Sequence, residues 1–165
     1  MDFINILEKS FWAGLAALGF AILFNVPQRT LFVIWAMGAF GGLLKFLLLG
    51  LEVNIVLASL AGASLIGVLS VSAAHNKHAP PLVFSIPSVI PMVPVAFAYR
   101  MMLGCMELVG TSSNSDTYLK TLAETTNNGL KAIFILIALS AGVAIPMLVT
   151  RKDTFKRIKS SEEQE

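Results

Sequence analysis

Leu31-Phe32-Val33-Ile34-Trp35-Ala36-Met37-Gly38-Ala39-Phe40-Gly41-Gly42-Leu43-Leu44-Lys45-Phe46-Leu47-Leu48-Leu49 decides the fold, because it carries one charge, Lys45, and no proline. A run of this length crosses the roughly 30 Å hydrocarbon layer of a bilayer as one helix. Four more apolar runs, at residues 11–26, 53–73, 82–109 and 129–150, flank it with short polar or proline-bearing breaks. The whole chain is 56% hydrophobic and 13% charged, with a mean hydropathy of +0.77, more apolar surface than a water-soluble fold of 165 residues hides. Hydrocarbon offers no partner to backbone N–H and C=O groups, so the runs must be helices; the alternating ten-residue segments of a transmembrane barrel are missing. The expected fold is all-α, an integral membrane bundle of about five transmembrane helices with the fourth broken by prolines. Residues 1–150 form the transmembrane bundle and 151–165 a basic cytoplasmic tail. Leu51, Glu52 and Val53 must make a tight turn between the second and third spans.

The amino terminus sets Asp2 and Glu8 against Lys9 and lacks the basic region of a secretory signal, so the first apolar run is expected to stay in the mature protein. With five spans, Arg29, Lys77, Arg151, Lys152, Lys156, Arg157 and Lys159 share one side. Asp2, Glu8, Lys9, Glu52, Asp116, Lys120 and Glu124 share the other. The positive-inside rule then puts the amino terminus outside and the carboxyl terminus in the cytoplasm. The tail, with Phe155 and Ile158 among its cations, suits a headgroup-lying anchor; a nucleic-acid patch is the rival, and no nucleic-acid partner is expected.

The fourth run holds Phe84-Ser85-Ile86-Pro87-Ser88-Val89-Ile90-Pro91-Met92-Val93-Pro94-Val95. Each proline removes an N–H and clashes with the carbonyl four residues back, leaving carbonyls in need of partners. Broken backbone at membrane depth is stable where protein buries it or where it lines a polar cavity, as in discontinuous transporter helices; a mere kink is the plainer alternative. Lys45 and Arg100 are cations within apolar runs, at a shared depth of about 24 to 27 Å from the cytoplasmic ends. Each either snorkels to the interface or holds a substrate carboxylate. Small residues recur every four positions at Ala13, Ala17 and Ala21, at Gly38 and Gly42, at Ser59, Ala63 and Gly67, and at Ala138 and Gly142. Gly38, Gly42 and Gly142 are the helix-packing candidates, since such ridges let backbones approach.

Motifs of an enzyme are lacking: there is no phosphate-cradling Gly-rich Lys motif, no G-x-S-x-G elbow and no HExxH helix. His75 and His78 have no carboxylate or thiol near them in sequence and read as a solvated loop. Cys105, the single cysteine, permits no intrachain disulfide and no multi-cysteine centre, so no metal or cofactor is expected.

Gly19-Phe20-Ala21-Ile22-Leu23-Phe24-Asn25-Val26-Pro27 resembles the first-helix signature of the threonine/serine exporter family, and Val89-Ile90-Pro91-Met92-Val93-Pro94 is similar to its proline-rich segment. Residues 38–45 resemble its glycine-rich stretch ending in a base, and residues 138–146 its terminal Leu-Ser-x-Gly-x-x-x-Pro helix. Val95 departs from the glycine usual after the second proline of that segment. The resemblance implies the small membrane subunit of a two-component secondary exporter in the bacterial inner membrane, equivalent to the carboxyl-terminal half of the fused exporters. It further implies a larger companion membrane subunit, and a small carboxylate-bearing substrate of threonine/serine type or, alternatively, of succinate type. Candidate substrate-path residues are then Asn25, Pro27, Lys45, Pro87, Pro91, Pro94 and Arg100. The lipid bilayer and an oligomer are the other partners, and a non-transporting membrane scaffold is the competing class.

Reporter fusions at the two ends are expected to place the amino terminus outside and the carboxyl terminus in the cytoplasm. Both ends on one side would contradict five spans.

Overall fold

The computed structural model of the chain describes residues 3–77, 79–110 and 116–162, the helical residues 116 and 151–162 by their backbone alone. The side chains of the basic tail, and His78, lie outside the described residues. Six α-helices and one 3-10 turn follow in order: α1 Phe3–Leu23, α2 Gln28–Gly50, α3 Ile55–Lys77, α4 Pro81–Val89, the turn Ile90–Met92, α5 Val95–Gly110 and α6 Asp116–Glu162. No strand occurs among the described residues. Four helices are long and apolar enough to cross a membrane, and Pro81–Met92 with Val95–Gly110 makes a fifth if the broken pair is one span. The protein is a multi-pass membrane protein. The chain divides into two compact units, one of residues 1–92 and 138–165, the other of residues 93–137.

In the first unit, each hairpin turn is closed by a helix cap that satisfies carbonyls no lipid could satisfy. At the end of α1, Asn25 takes a left-handed φ of 55°; its N–H bonds Ile22 O at 3.0 Å and the Val26 N–H reaches Ala21 O at 3.0 Å. This is a Schellman motif, and asparagine tolerates the conformation better than a branched residue does. Glu52 repeats it after α2 with φ 59° and bonds from Glu52 and Val53 N–H to Leu49 and Leu48 carbonyls. The tight turn expected at Leu51 to Val53 is therefore present. Asn54 then caps α3, its Oδ1 accepting from Val56 N–H at 2.9 Å.

Packing in this unit rests on small side chains rather than on a greasy core, because lipid already solvates Leu and Phe as well as a protein interior does. Phe32 and Leu23 point outward at 74% and 76% exposure. Between the helices, α1 meets α2 where a Cβ on Gly38 would lie 2.6 Å from the Ala17 Cβ. Farther along the chain, α3 meets α6 where a Cβ on Gly142 would lie 2.9 Å from Leu60 O and 3.0 Å from Ser64 N.

The second unit pairs α5 with the start of α6 in an antiparallel hairpin. The register is fixed at several levels: Thr121 Oγ1 donates to Glu107 Oε1 at 3.5 Å, Gly104 backs onto Thr125, and Gly129 onto Met101. Lys131 Nζ lies 5.7 Å from the Phe97 ring centre, a cation–π distance. No side chain of α5 is buried.

Helix α6 differs from expectation. The apolar run predicts a span over 129–150, whereas the helix starts at Asp116 and runs 47 residues. At 1.5 Å per residue that is about 70 Å, more than twice the hydrocarbon thickness. The polar stretch 117–128 is thus a helical extension of the span rather than a loop, with Lys120 and Glu124 spaced as a favourable helical pair.

Substituting Gly142 by alanine should lower the thermal midpoint of the purified protein by the equivalent of about 1–3 kcal/mol, since backbone cannot yield as a flexible side chain does. Gly19, whose Cβ would meet nothing within 4 Å, should accept alanine without loss. Equal midpoints for the two variants would contradict close approach of α3 and α6.

Candidate functional site

The prolines act on the backbone as their chemistry requires. In a continuous helix the N–H groups at positions 87, 91 and 94 would serve the carbonyls of Val83, Pro87 and Ile90. α4 instead tightens into the 3-10 turn at Ile90–Met92 and ends, and α5 starts afresh at Val95. Val95 N–H bonds Val93 O at 2.9 Å, and Phe97 N–H bonds Pro94 O at 3.1 Å. An unbroken helix would have given Met92 O the N–H of Ala96. That carbonyl is served by a side chain: Lys45 Nζ donates to it at 3.1 Å from α2, 47 positions away in sequence.

The first unit buries further polar groups. Ser88 Oγ lies 2.8 Å from Phe84 O and 3.3 Å from Ile34 O, tying α4 to α2. Ser59 and Ser85 are fully buried, and neither hydroxyl has a hydrogen-bond partner among the described residues. Burying a hydroxyl without a partner costs about 1–3 kcal/mol, so two of them in one small unit are conspicuous. Two glycines make room beside Lys45 and Met92. A Cβ on Gly62 would lie 2.8 Å from Gly41 O and 3.4 Å from the Lys45 Cβ, and one on Gly41 would lie 2.6 Å from Ile66 Cδ1 and 2.8 Å from Met92 Cε. α2 and α3 therefore touch backbone to backbone next to the lysine.

Lys45 is only 9% exposed. A snorkelling lysine would extend toward the interface, whereas this amine turns to the broken backbone. Pro87 is fully buried; Pro91 is partly buried, and Pro94, the second residue of the other unit, is buried. Asn25 and Pro27 are exposed in the α1–α2 turn, and Pro27 precedes Lys45 by about 27 Å of helix. The structure does not bring those two to the lysine, and the cap accounts for Asn25. Gly38 and Gly42 face α1. Met92, Gly62, Ser59 and Ser85 were missed in sequence; the 85, 88, 92 spacing, one helical face, was the available signal.

Arg100 belongs to the second unit. It is exposed and lines a cleft of about 210 Å³ with Glu107, Thr121, Glu124, Thr125 and Asn128. Thus Arg100 is set among side chains of both signs. Among the described residues no group of three or more His, Cys, Asp or Glu could hold a metal. His75 Nδ1 lies 2.8 Å from Val71 O, one turn back on α3.

A helical membrane bundle whose broken span is held by a buried cation is of the class in which irregular backbone at membrane depth is buried by protein. The chain belongs to the family described as Threonine/Serine exporter, ThrE, whose model matches residues 9–149. It is also 30% identical over 146 residues to an uncharacterized protein of Haemophilus influenzae, a match covering 88% of this chain and 48% of that protein. The chain thus spans about half the length of that curated relative. No solved structure matches it.

Amine acylation of the folded protein in detergent, read by mass spectrometry, should modify the exposed Lys9 at least about tenfold faster than Lys45, which is shielded until unfolding. Equal rates would contradict an inward-turned amine.

Proposed function

We propose that this chain is one half of a two-component secondary exporter for a small carboxylate-bearing metabolite of threonine/serine type. The observation that carries this reading is the bond from Lys45 Nζ to the Met92 carbonyl at the proline break. It supports a polar path because an intramembrane cation is costly to bury and is retained where it serves a substrate or ion. A lysine ammonium has three donors, and one is directed at Met92 O. Further donors suit a substrate carboxylate, with the Ser59 and Ser85 hydroxyls as additional buried polar groups.

Family membership supports the exporter class. The relative's length, about twice that of this chain, supports a second membrane subunit that supplies the remaining half of the path. The proposed setting is the bacterial inner membrane, with the amino terminus outside. Transport of this kind needs no covalent step; alternating access moves the two halves about a fixed site.

Metabolite release from cells expressing this chain with its companion should exceed release with either alone. Replacing both Pro91 and Pro94 with alanine should restore helical hydrogen bonding and lower release at least about tenfold at an unchanged protein level. Robust transport by this chain alone in liposomes would overturn the two-component reading. Normal release by the double variant would reduce the break to a kink.

A further inference from the structure

We propose that the cleft between α5 and the start of α6 is a recognition site for an α-amino acid zwitterion, in which Arg100 takes the carboxylate and Glu124 the ammonium. The inference rests on the exporter reading and goes beyond it, because it adds to the Lys45 group a second carboxylate-binding group in the other unit and separates amino acids from dicarboxylates. The antiparallel register sets Met101 level with Gly129, Gly104 with Thr125, and Glu107 with Thr121. Glu124 therefore stands about five residues below the level of Arg100 on α6, about 8 Å along the axis. That spacing lets one small solute present a carboxylate to the guanidinium and an ammonium to the glutamate, each through a charge-assisted hydrogen bond.

The floor of the cleft is built for close contact. A Cβ on Gly104 would run into the Thr125 side chain, and Thr125 is only 6% exposed, so the two helices meet there and the charged groups rise on either side. The volume of about 210 Å³ lies below the roughly 300–1,000 Å³ of sites for drug-sized ligands and suits a single amino acid. Thr121, Thr125 and Asn128 offer hydroxyl and amide groups to a polar side chain such as that of serine or threonine. A dicarboxylate is disfavoured, for its second carboxylate would meet Glu124, with Glu107 one turn beyond.

The test is equilibrium binding of labelled threonine, N-acetylthreonine and succinate to the purified full chain, alone and with its companion, for the wild type and for Glu124→Gln and Arg100→Gln. Wild type is expected to prefer threonine to N-acetylthreonine, which lacks the ammonium, by about tenfold or more. Glu124→Gln should erase that preference, and Arg100→Gln should weaken both amino-acid ligands. Absence of threonine binding, a preference that survives Glu124→Gln, or tighter binding of succinate would each overturn the proposal. Release of threonine from cells, measured separately, tests the exporter reading: binding that depends on Glu124 without release would leave the cleft standing and remove the exporter.

Discussion

A backbone carbonyl in hydrocarbon must find a donor, and the first unit of this protein is organised around one carbonyl that cannot find its donor in its own helix. Met92 O loses its helical partner because the chain breaks at Pro94, and Lys45 Nζ supplies the donor at 3.1 Å. For the amine to reach it, α2 and α3 must approach until Gly62 abuts the Gly41 carbonyl. Small residues elsewhere allow the same closeness, Gly38 against Ala17 and Gly142 against α3. The carboxyl ends of α1 and α2 are satisfied locally by the Asn25 and Glu52 caps. A lysine at this depth carries a desolvation cost that one hydrogen bond of about 1–3 kcal/mol offsets only in part. Such a group is explained by what it binds more readily than by the stability it confers.

Much of this architecture was legible in sequence. The apolar runs announced helices because a bilayer permits little else, and Pro87, Pro91 and Pro94 announced the break because proline chemistry is local. The tight turn at Glu52 followed from two long runs with almost nothing between them. Less legible was the third dimension of the break. That Lys45 turns inward to Met92, rather than outward to the interface, depends on a contact across 47 residues and on Gly62, which in sequence is one more small residue in α3.

The helical ends were also misjudged by hydropathy alone. α1 begins at Phe3 and α6 at Asp116, well before their apolar runs, because charged residues at helical spacing continue a helix past the membrane surface. The polar break between the fourth and fifth apolar runs hid that Arg100 lines one cleft with Glu107 and Glu124; the sequence set Arg100 within a span and Glu124 only on a side of the membrane, and singled out no role for Glu107. Asn25, singled out through a family signature, has a local role as well in its left-handed cap.

The claim that the break faces a substrate path is tested most directly at Val93, between the 3-10 turn and α5. In a background with the exposed Cys105 replaced by alanine, Val93→Cys would be treated with a membrane-impermeant maleimide in the presence of the companion subunit. Labelling that is slowed by added threonine is the predicted result, since water and substrate share the path. A thiol that stays unlabelled in the folded protein, or one labelled at the same rate with and without threonine, would contradict it.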